Sequence, residues 1–197
     1  MDEQCNIVCI YLPRFHWQIL MMRKPQLEAC EQGVLITIPE ISRNKIRKII
    51  ETSHKITNVA IGAPLHEALS NYPNALVMEA DIPYSKKIVK KIVNKLQDVV
   101  LNIEISDSGY IFLDIDGLNR LYNDDSNIVQ LISNSVLSTI PNLDIRIGIG
   151  SSKWIARMAA LLSKKGRAYK VSGNPKNFLS RLSISILPIS QNLMERL

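Results

Sequence analysis

A β-hairpin set between two amphipathic helices constrains this chain more than any other feature. Ile103-Glu-Ile105 and Tyr110-Ile-Phe-Leu-Asp-Ile115 flank the turn-forming Asp107-Ser-Gly109, a spacing that predicts two antiparallel strands. Upstream, Tyr84 to Val100 repeats Ile88, Ile92 and Leu96 at four-residue spacing, with Val89 and Val93 alongside and lysines elsewhere. That is a helix with one apolar stripe. Downstream, Asp124 to Leu137 reads as a second amphipathic helix, capped by Asp124 and Asp125. Ile7-Val-Cys-Ile-Tyr-Leu12, stopped by Pro13, and Asp144-Ile-Arg-Ile-Gly-Ile-Gly150 add one strand at each end. The order β, helix, hairpin, helix, β predicts a ferredoxin-like α+β sheet with helices on one face, an architecture many unrelated proteins share.

Between the first strand and the first long helix lies an insertion. Gly33-Val-Leu-Ile-Thr-Ile38 is a strand candidate, and Ile41 to Ser53 a basic helical stretch with Ile46, Ile49 and Ile50 on it. Pro64 to Asn71 predicts a short helix opened by proline, followed by the apolar run Ala75-Leu-Val-Met78. At the other end, Lys153 to Ser163 predicts a helix entered directly from the glycine-rich end of its strand. Ser151 and Ser152 after Gly148-Ile-Gly150 resemble a phosphate-binding turn at a helix N-terminus, without the full P-loop spacing.

Composition bounds the partners. With 197 residues, 46% hydrophobic and 21% charged, the chain can build one core plus a small subdomain. A net charge of +6 favours an anionic partner. The distribution says more: from Ser151 to Arg181 stand Lys153, Arg157, Lys164, Lys165, Arg167, Lys170, Lys176 and Arg181 with no acidic residue. A solvated face usually mixes signs, so this field points to phosphates, whose contacts position a protein on DNA without reading sequence. Cys5, Cys9 and Cys30 have neither zinc-site spacing nor a disulfide framework, and His16, His54 and His66 lack metal-ligand spacing. The N-terminus has Asp2 and Glu3 in place of a positive leader, and no apolar run approaches the roughly 18 residues that span a bilayer. These features lead us to expect a cytoplasmic protein with no membrane partner.

Four segments in order resemble the translesion, or Y-family (UmuC-type), DNA polymerases. They are Cys9-Ile-Tyr-Leu-Pro-Arg-Phe15, Ala60-Ile-Gly-Ala-Pro-Leu-His-Glu-Ala-Leu69, Glu104 to Leu118, and Gly148-Ile-Gly-Ser-Ser-Lys-Trp-Ile-Ala-Arg-Met-Ala159. The resemblance implies a palm-like domain over 1–20 and 77–182 and a fingers-like subdomain over 21–76. It also implies the start of a thumb, otherwise truncated, over 183–197.

Phosphoryl transfer in such enzymes rests on two divalent ions about 4 Å apart held by carboxylates. The resemblance assigns those carboxylates to Tyr11, Pro13, Gly109 and Tyr110, none of which carries one. The nucleotide-gripping tyrosine and arginine fall on Thr52 and Lys55, and a phosphate-contacting lysine on Lys164. Tyr-Leu-Pro-Arg at the first motif is similar to the non-catalytic ImuB-type mutasome subunits.

The expectation is therefore a catalytically defective polymerase-like protein in DNA repair. It would bind primer-template DNA through Lys153, Arg157, Lys164, Lys165, Arg167 and Lys170, with Lys55 touching phosphate, and would need no cofactor. A replication clamp or another polymerase subunit is the protein partner such a role implies. Two alternatives stay open. An active polymerase would need Mg2+ held by Asp107, Asp114 and Asp116, of which the last two share a strand face. A relic without DNA grip would serve as a protein-interaction module.

Overall fold

The protein is described here by a computed structural model covering residues 6–39, 46–106, 109–122, 124–183 and 186. Its chain divides into two compact units, residues 1–13 with 90–197, and residues 14–89.

The larger unit is built on a five-stranded sheet of order β5-β6-β1-β7-β8. Its strands are β1 (Ile7–Tyr11), β5 (Ile103–Ser106), β6 (Tyr110–Asp114), β7 (Arg146–Gly150) and β8 (Ala168–Lys170). β1 lies centrally, antiparallel to both β6 and β7. The hairpin β5–β6 is antiparallel with Ser106 opposite Tyr110. With α3 (Ile82–Leu96) before the hairpin and the short α4 (Asn119–Tyr122) and α5 (Asp125–Thr139) after it, this is the expected ferredoxin-like order, extended by β8 running parallel to β7. Asp124 caps α5 by accepting from the Asn127 amide at 2.8 Å, and Gly109 closes the hairpin at φ 78°, a conformation that favours glycine.

Side-chain alternation divides the sheet's two faces. Cys9, Tyr110 and Phe112 pack with Ala156 and Ala160 of α6 (Lys153–Leu162), joined by Ile7 and Tyr11. The other face carries the fully buried Val8, Ile10, Ile111 and Leu113. The stripes Ile128, Ile132 and Val136 of α5, and Ile92 and Leu96 of α3, are equally buried and supply the matching apolar cover. Helices thus lie on both faces, where the sequence pattern predicts one.

The second unit holds a three-stranded sheet of order β3-β2-β4. β2 (Val34–Thr37) pairs antiparallel with β3 (Ile49–Thr52) and parallel with β4 (Leu76–Glu79). Around it stand α1 (Phe15–Arg23) and α2 (Leu65–Asn71), the latter entered from Pro64 as expected. Two apolar clusters fill it: Leu20, Leu27, Val34, Ile36 and Ala80 on one side, and Leu35, Ile49, Ile56 and Ala68 on the other.

The basic helical stretch expected over Ile41 to Ser53 is corrected here. Ile49–Thr52 is a strand, while residues 40–45 lie outside the described residues. Ile46, Ile49 and Ile50 fit a helical spacing, but Ile46 is 66% exposed and Ile49 is fully buried, so no common apolar face exists. Ser106 pairs with Tyr110 across the hairpin, and residues 107 and 108 of the predicted turn are outside the described set. So are Cys5 and, except for Ser183 and Ile186, the segment 183–197 read as the start of a thumb.

Candidate functional site

Sheet register assembles the four positions at which the resemblance expects carboxylates. Tyr11 and Tyr110 are direct partners across β1 and β6, and the Leu12 amide donates to the Gly109 carbonyl at 2.9 Å, placing Gly109 beside Pro13. The two tyrosine rings stack with centroids 4.6 Å apart and planes 12° from parallel. Over the Tyr110 ring sits the Arg157 guanidinium, 4.3 Å from its centroid. Stacking and cation–π attraction together contribute about 2 kcal/mol. Burial pushes the Tyr110 phenol up to about 12, Tyr11 adds to the rise, and Arg157 opposes it. The Tyr110 phenol is therefore neutral at physiological pH, and the Arg157 guanidinium sets a full positive charge over its ring.

Below this stack lies Cys9, completely buried. Its thiol is pushed by burial to about 12, against the pull of Arg157. A thiolate is the reactive species, so native protein at pH 8 is expected to leave Cys9 unmodified by a maleimide while half-buried Cys30 reacts. Peptide mass spectrometry before and after denaturation reads this directly; rapid labelling of native Cys9 would mean that α6 lifts from the sheet.

A divalent ion of the Mg2+ class needs hard oxygen ligands, typically carboxylates. Two buried or half-buried phenols, a proline ring and a glycine do not fit that requirement. Among the described residues no group of three or more His, Cys, Asp and Glu is placed to hold a metal ion.

Asp114 and Asp116 are placed elsewhere. β6 ends at Asp114, four residues from Tyr110, or about 13 Å along a strand. Asp116 lies in the following turn, not on the strand face that the sequence pattern implied. Their oxygens are engaged locally: Asp114 Oδ1 accepts from the Asp116 amide at 3.0 Å, and Asp116 Oδ1 from Asn6 Nδ2 at 3.1 Å. Asp107 lies outside the described residues.

The basic candidates divide into two groups. Lys153 pairs with Glu104 at 2.5 Å, Lys170 pairs with Asp125, and Arg157 is folded onto Tyr110. Lys164, Lys165 and Arg167 instead lie together and exposed in the turn between α6 and β8, with no ion pair to a described residue. This turn is braced from within: Ser163 Oγ donates to the Arg167 carbonyl at 2.5 Å.

Ser152, read as part of a phosphate-binding turn, caps α6 by accepting from the Ile155 amide at 3.3 Å. The neighbouring glycines have a packing role. A Cβ on Gly148 would meet the Ala156 carbonyl oxygen at 2.1 Å and the Ala160 amide nitrogen at 2.2 Å. α6 therefore lies directly on the β7 backbone.

In the second unit, Thr52 and Lys55 stand at the positions of the nucleotide grip. Thr52 is nearly buried and its hydroxyl donates to the Ile56 carbonyl at 3.4 Å, whereas Lys55 is exposed in the same turn. One residue missed by sequence reasoning sits beside them. Glu51 accepts from the amides of His16 and Trp17 at 3.1 and 2.8 Å, where α1 begins. The backbone enters that helix at Arg14 in a left-handed conformation, φ 47°. Burial raises the Glu51 carboxyl above its ordinary value, opposed by the two amides and Arg14. An acid in an otherwise apolar strand was the one signal in the sequence.

A palm-like sheet with a small β-containing companion, and a strand register that converges the family positions, defines a polymerase-like domain. Residues 10–161 match the impB/mucB/samB family, and the chain belongs to it, the UmuC-type domain of the Y-family polymerases. The DNA polymerase IV of Picrophilus torridus is 27% identical over 203 residues, covering 96% of this chain and 56% of that protein. That of Saccharolobus solfataricus is 26% identical over 131 residues, 66% of this chain and 37% of the relative. Among solved structures, DinB from Sulfolobus solfataricus superposes with a TM-score of 0.76 at 19% identity, over 96% of this chain and 55% of that one. An insertion ternary complex of Dbh DNA polymerase gives 0.75 at 19% identity, over 96% and 56%. The matched region thus spans between 37% and 56% of the length of these relatives. Among the described residues no helix is long and apolar enough to cross a membrane.

Proposed function

We propose that this chain is a catalytically defective Y-family polymerase-like protein, of the same kind as the non-catalytic ImuB-type mutasome subunits. It acts in translesion synthesis and DNA repair in the cytoplasm by holding primer-template DNA and recruiting a clamp or another polymerase subunit. The observation that carries this reading is the Tyr11–Tyr110 stack under Arg157, which takes two of the four positions where the resemblance expects carboxylates, Pro13 and Gly109 holding the other two. The guanidinium brings one fixed positive charge to a place where two exchangeable divalent ions would act. Such a charge can hold a phosphate but cannot bridge a primer hydroxyl and a triphosphate. The palm is the larger unit and the fingers the smaller one, and the phosphate-facing surface is the turn with Lys164, Lys165 and Arg167.

Single-nucleotide incorporation on a primer-template tests the catalytic half. The 197-residue chain is expected to extend no primer with Mg2+ or Mn2+, at any template base, while a DNA polymerase IV control extends fully. Extension that requires metal and disappears in Asp114→Ala would overturn the reading in favour of a displaced metal site.

A further inference from the structure

Beyond the turn that contains Lys164 and Lys165, the basic segment leads into a second feature. A cleft of about 570 Å³ opens between β8 and α7 (Pro175–Leu179), lined among others by Tyr169, Lys170, Phe178 and Arg181. That volume lies within the range of pockets that enclose a small organic group. We propose that this cleft binds an unpaired nucleotide of single-stranded DNA, its base against the Tyr169–Phe178 pair and its phosphate on Arg181. This rests on the DNA-binding reading above and adds a site that distinguishes single strands from duplex.

Three observations point to that ligand. First, the two rings form one wall: their centroids are 6.0 Å apart and the planes 36° from parallel. Phe178 is anchored by packing against the cluster of Ile155, Ala159 and Val171, whereas Tyr169 is 41% exposed. One ring is fixed and the other is offered, which suits a base that slides over it. Every base has a π-face, so such a platform tolerates any sequence.

Second, the charge around it has one sign. Residues 151–181 contain no acid. Among the described residues, Asp125 is the carboxylate that ion-pairs with a residue of the cleft lining, and it is engaged by Lys170. Arg181 is exposed and forms no ion pair with a described residue. Arginine suits a phosphate through its planar fork of donors.

Third, the rim is open. Gly173 turns the chain at φ 80°, and a Cβ built there meets nothing within 4 Å. β8 is an edge strand, and all three of its residues are exposed. An aromatic platform in a cationic, open-rimmed cleft favours a flexible nucleic-acid strand over an apolar peptide, which would leave the cations without partners. A duplex cannot use the platform because its bases are already stacked.

The test uses the whole chain with two fluorescein-labelled probes, a 12-nucleotide oligo(dT) and a blunt duplex, measured by anisotropy at several salt concentrations. Tyr169→Ala is expected to weaken oligo(dT) binding about tenfold while leaving duplex binding within twofold. Tyr169→Phe should retain wild-type affinity, and Arg181→Gln should weaken oligo(dT) binding with a shallower salt slope. In a 2-aminopurine oligonucleotide, stacking should quench the probe with the parent and not with Tyr169→Ala. Because Tyr169 is exposed, the variant should keep the parent's melting temperature. Unchanged oligo(dT) affinity in Tyr169→Ala, or equal loss on both probes, overturns the cleft while leaving the DNA-binding reading intact. Absence of any salt-dependent binding by the parent to either probe overturns both.

Discussion

Replacing Gly148 by alanine is expected to destabilise the larger unit by about 3 kcal/mol or more, the upper end of what overpacking costs in a close-packed core. The added methyl would fall 2.1 Å from the Ala156 carbonyl oxygen and 2.2 Å from the Ala160 amide nitrogen, both backbone atoms of α6. Side chains can turn aside at modest cost, but helix backbone cannot. The whole of α6 would have to rise from β7, opening the packing of Ala156 and Ala160 on Cys9, Tyr110 and Phe112. For a chain of this size that corresponds to a fall in melting temperature of about 6–12 °C. Urea unfolding followed by circular dichroism would measure it. A variant melting within 2 °C of the parent would show that the helix seats on its side chains instead of its backbone. Gly150→Ala offers a somewhat milder companion, since its added methyl would fall 2.6 Å from the Ile155 Cγ2 and 2.8 Å from the Ala156 amide nitrogen, further from helix backbone than at Gly148.

The same contact ties stability to the proposed function. α6 carries Arg157 onto the Tyr110 ring from its middle turn and delivers the chain into the turn with Lys164 and Lys165 at its C-terminal end. Lifting the helix would disturb both, so the Gly148 variant should also label faster at Cys9.

The two long helices were legible because each repeats an apolar residue at helical spacing over enough residues to decide, and β1 and the hairpin because their apolar runs are bounded by a proline or by turn-forming residues. Asp124 as an α5 cap and Pro64 as the entry to α2 were legible from cap chemistry alone. β3 was not, since four residues with isoleucines at 49 and 50 satisfy helix and strand alike, and only pairing to β2 decides. β8 has three exposed residues and no apolar pattern at all; it exists because β7 offers an unpaired edge.

At the site, the absence of carboxylates could be read from one residue at a time, but what replaced them could not. That Tyr11 and Tyr110 stack requires the register of two strands a hundred residues apart in sequence, and Arg157 reaches them only because Gly148 lets α6 descend. Gly148-x-Gly150 was ambiguous for the same reason: a glycine tells that something comes close, not whether it is a phosphate or a helix. Glu51 was hidden because its partners are backbone amides, which no side-chain motif records.

The charge-reversed variant Lys164→Glu/Lys165→Glu is expected to bind primer-template DNA on the order of 30–100-fold more weakly than the parent near physiological salt. Both lysines are exposed and make no ion pair to a described residue, so reversing them breaks no internal contact and should change stability by less than about 0.5 kcal/mol. That distinguishes them from Lys153 and Lys170, whose reversal would set a second acid beside Glu104 or Asp125 and confuse folding with binding. Each phosphate contact releases counterions, so losing two contacts should flatten the plot of log affinity against log salt by about 2 units. Affinity alone is a weaker criterion, because any loss of positive charge lowers attraction to DNA at a distance. The slope counts contacts actually made. If the variant bound more weakly with an unchanged slope, the turn would steer DNA without touching it, and the contacting surface would have to lie elsewhere on the palm. If neither affinity nor slope changed, this turn would be a solvated face, and recruitment by the chain would rest on protein partners.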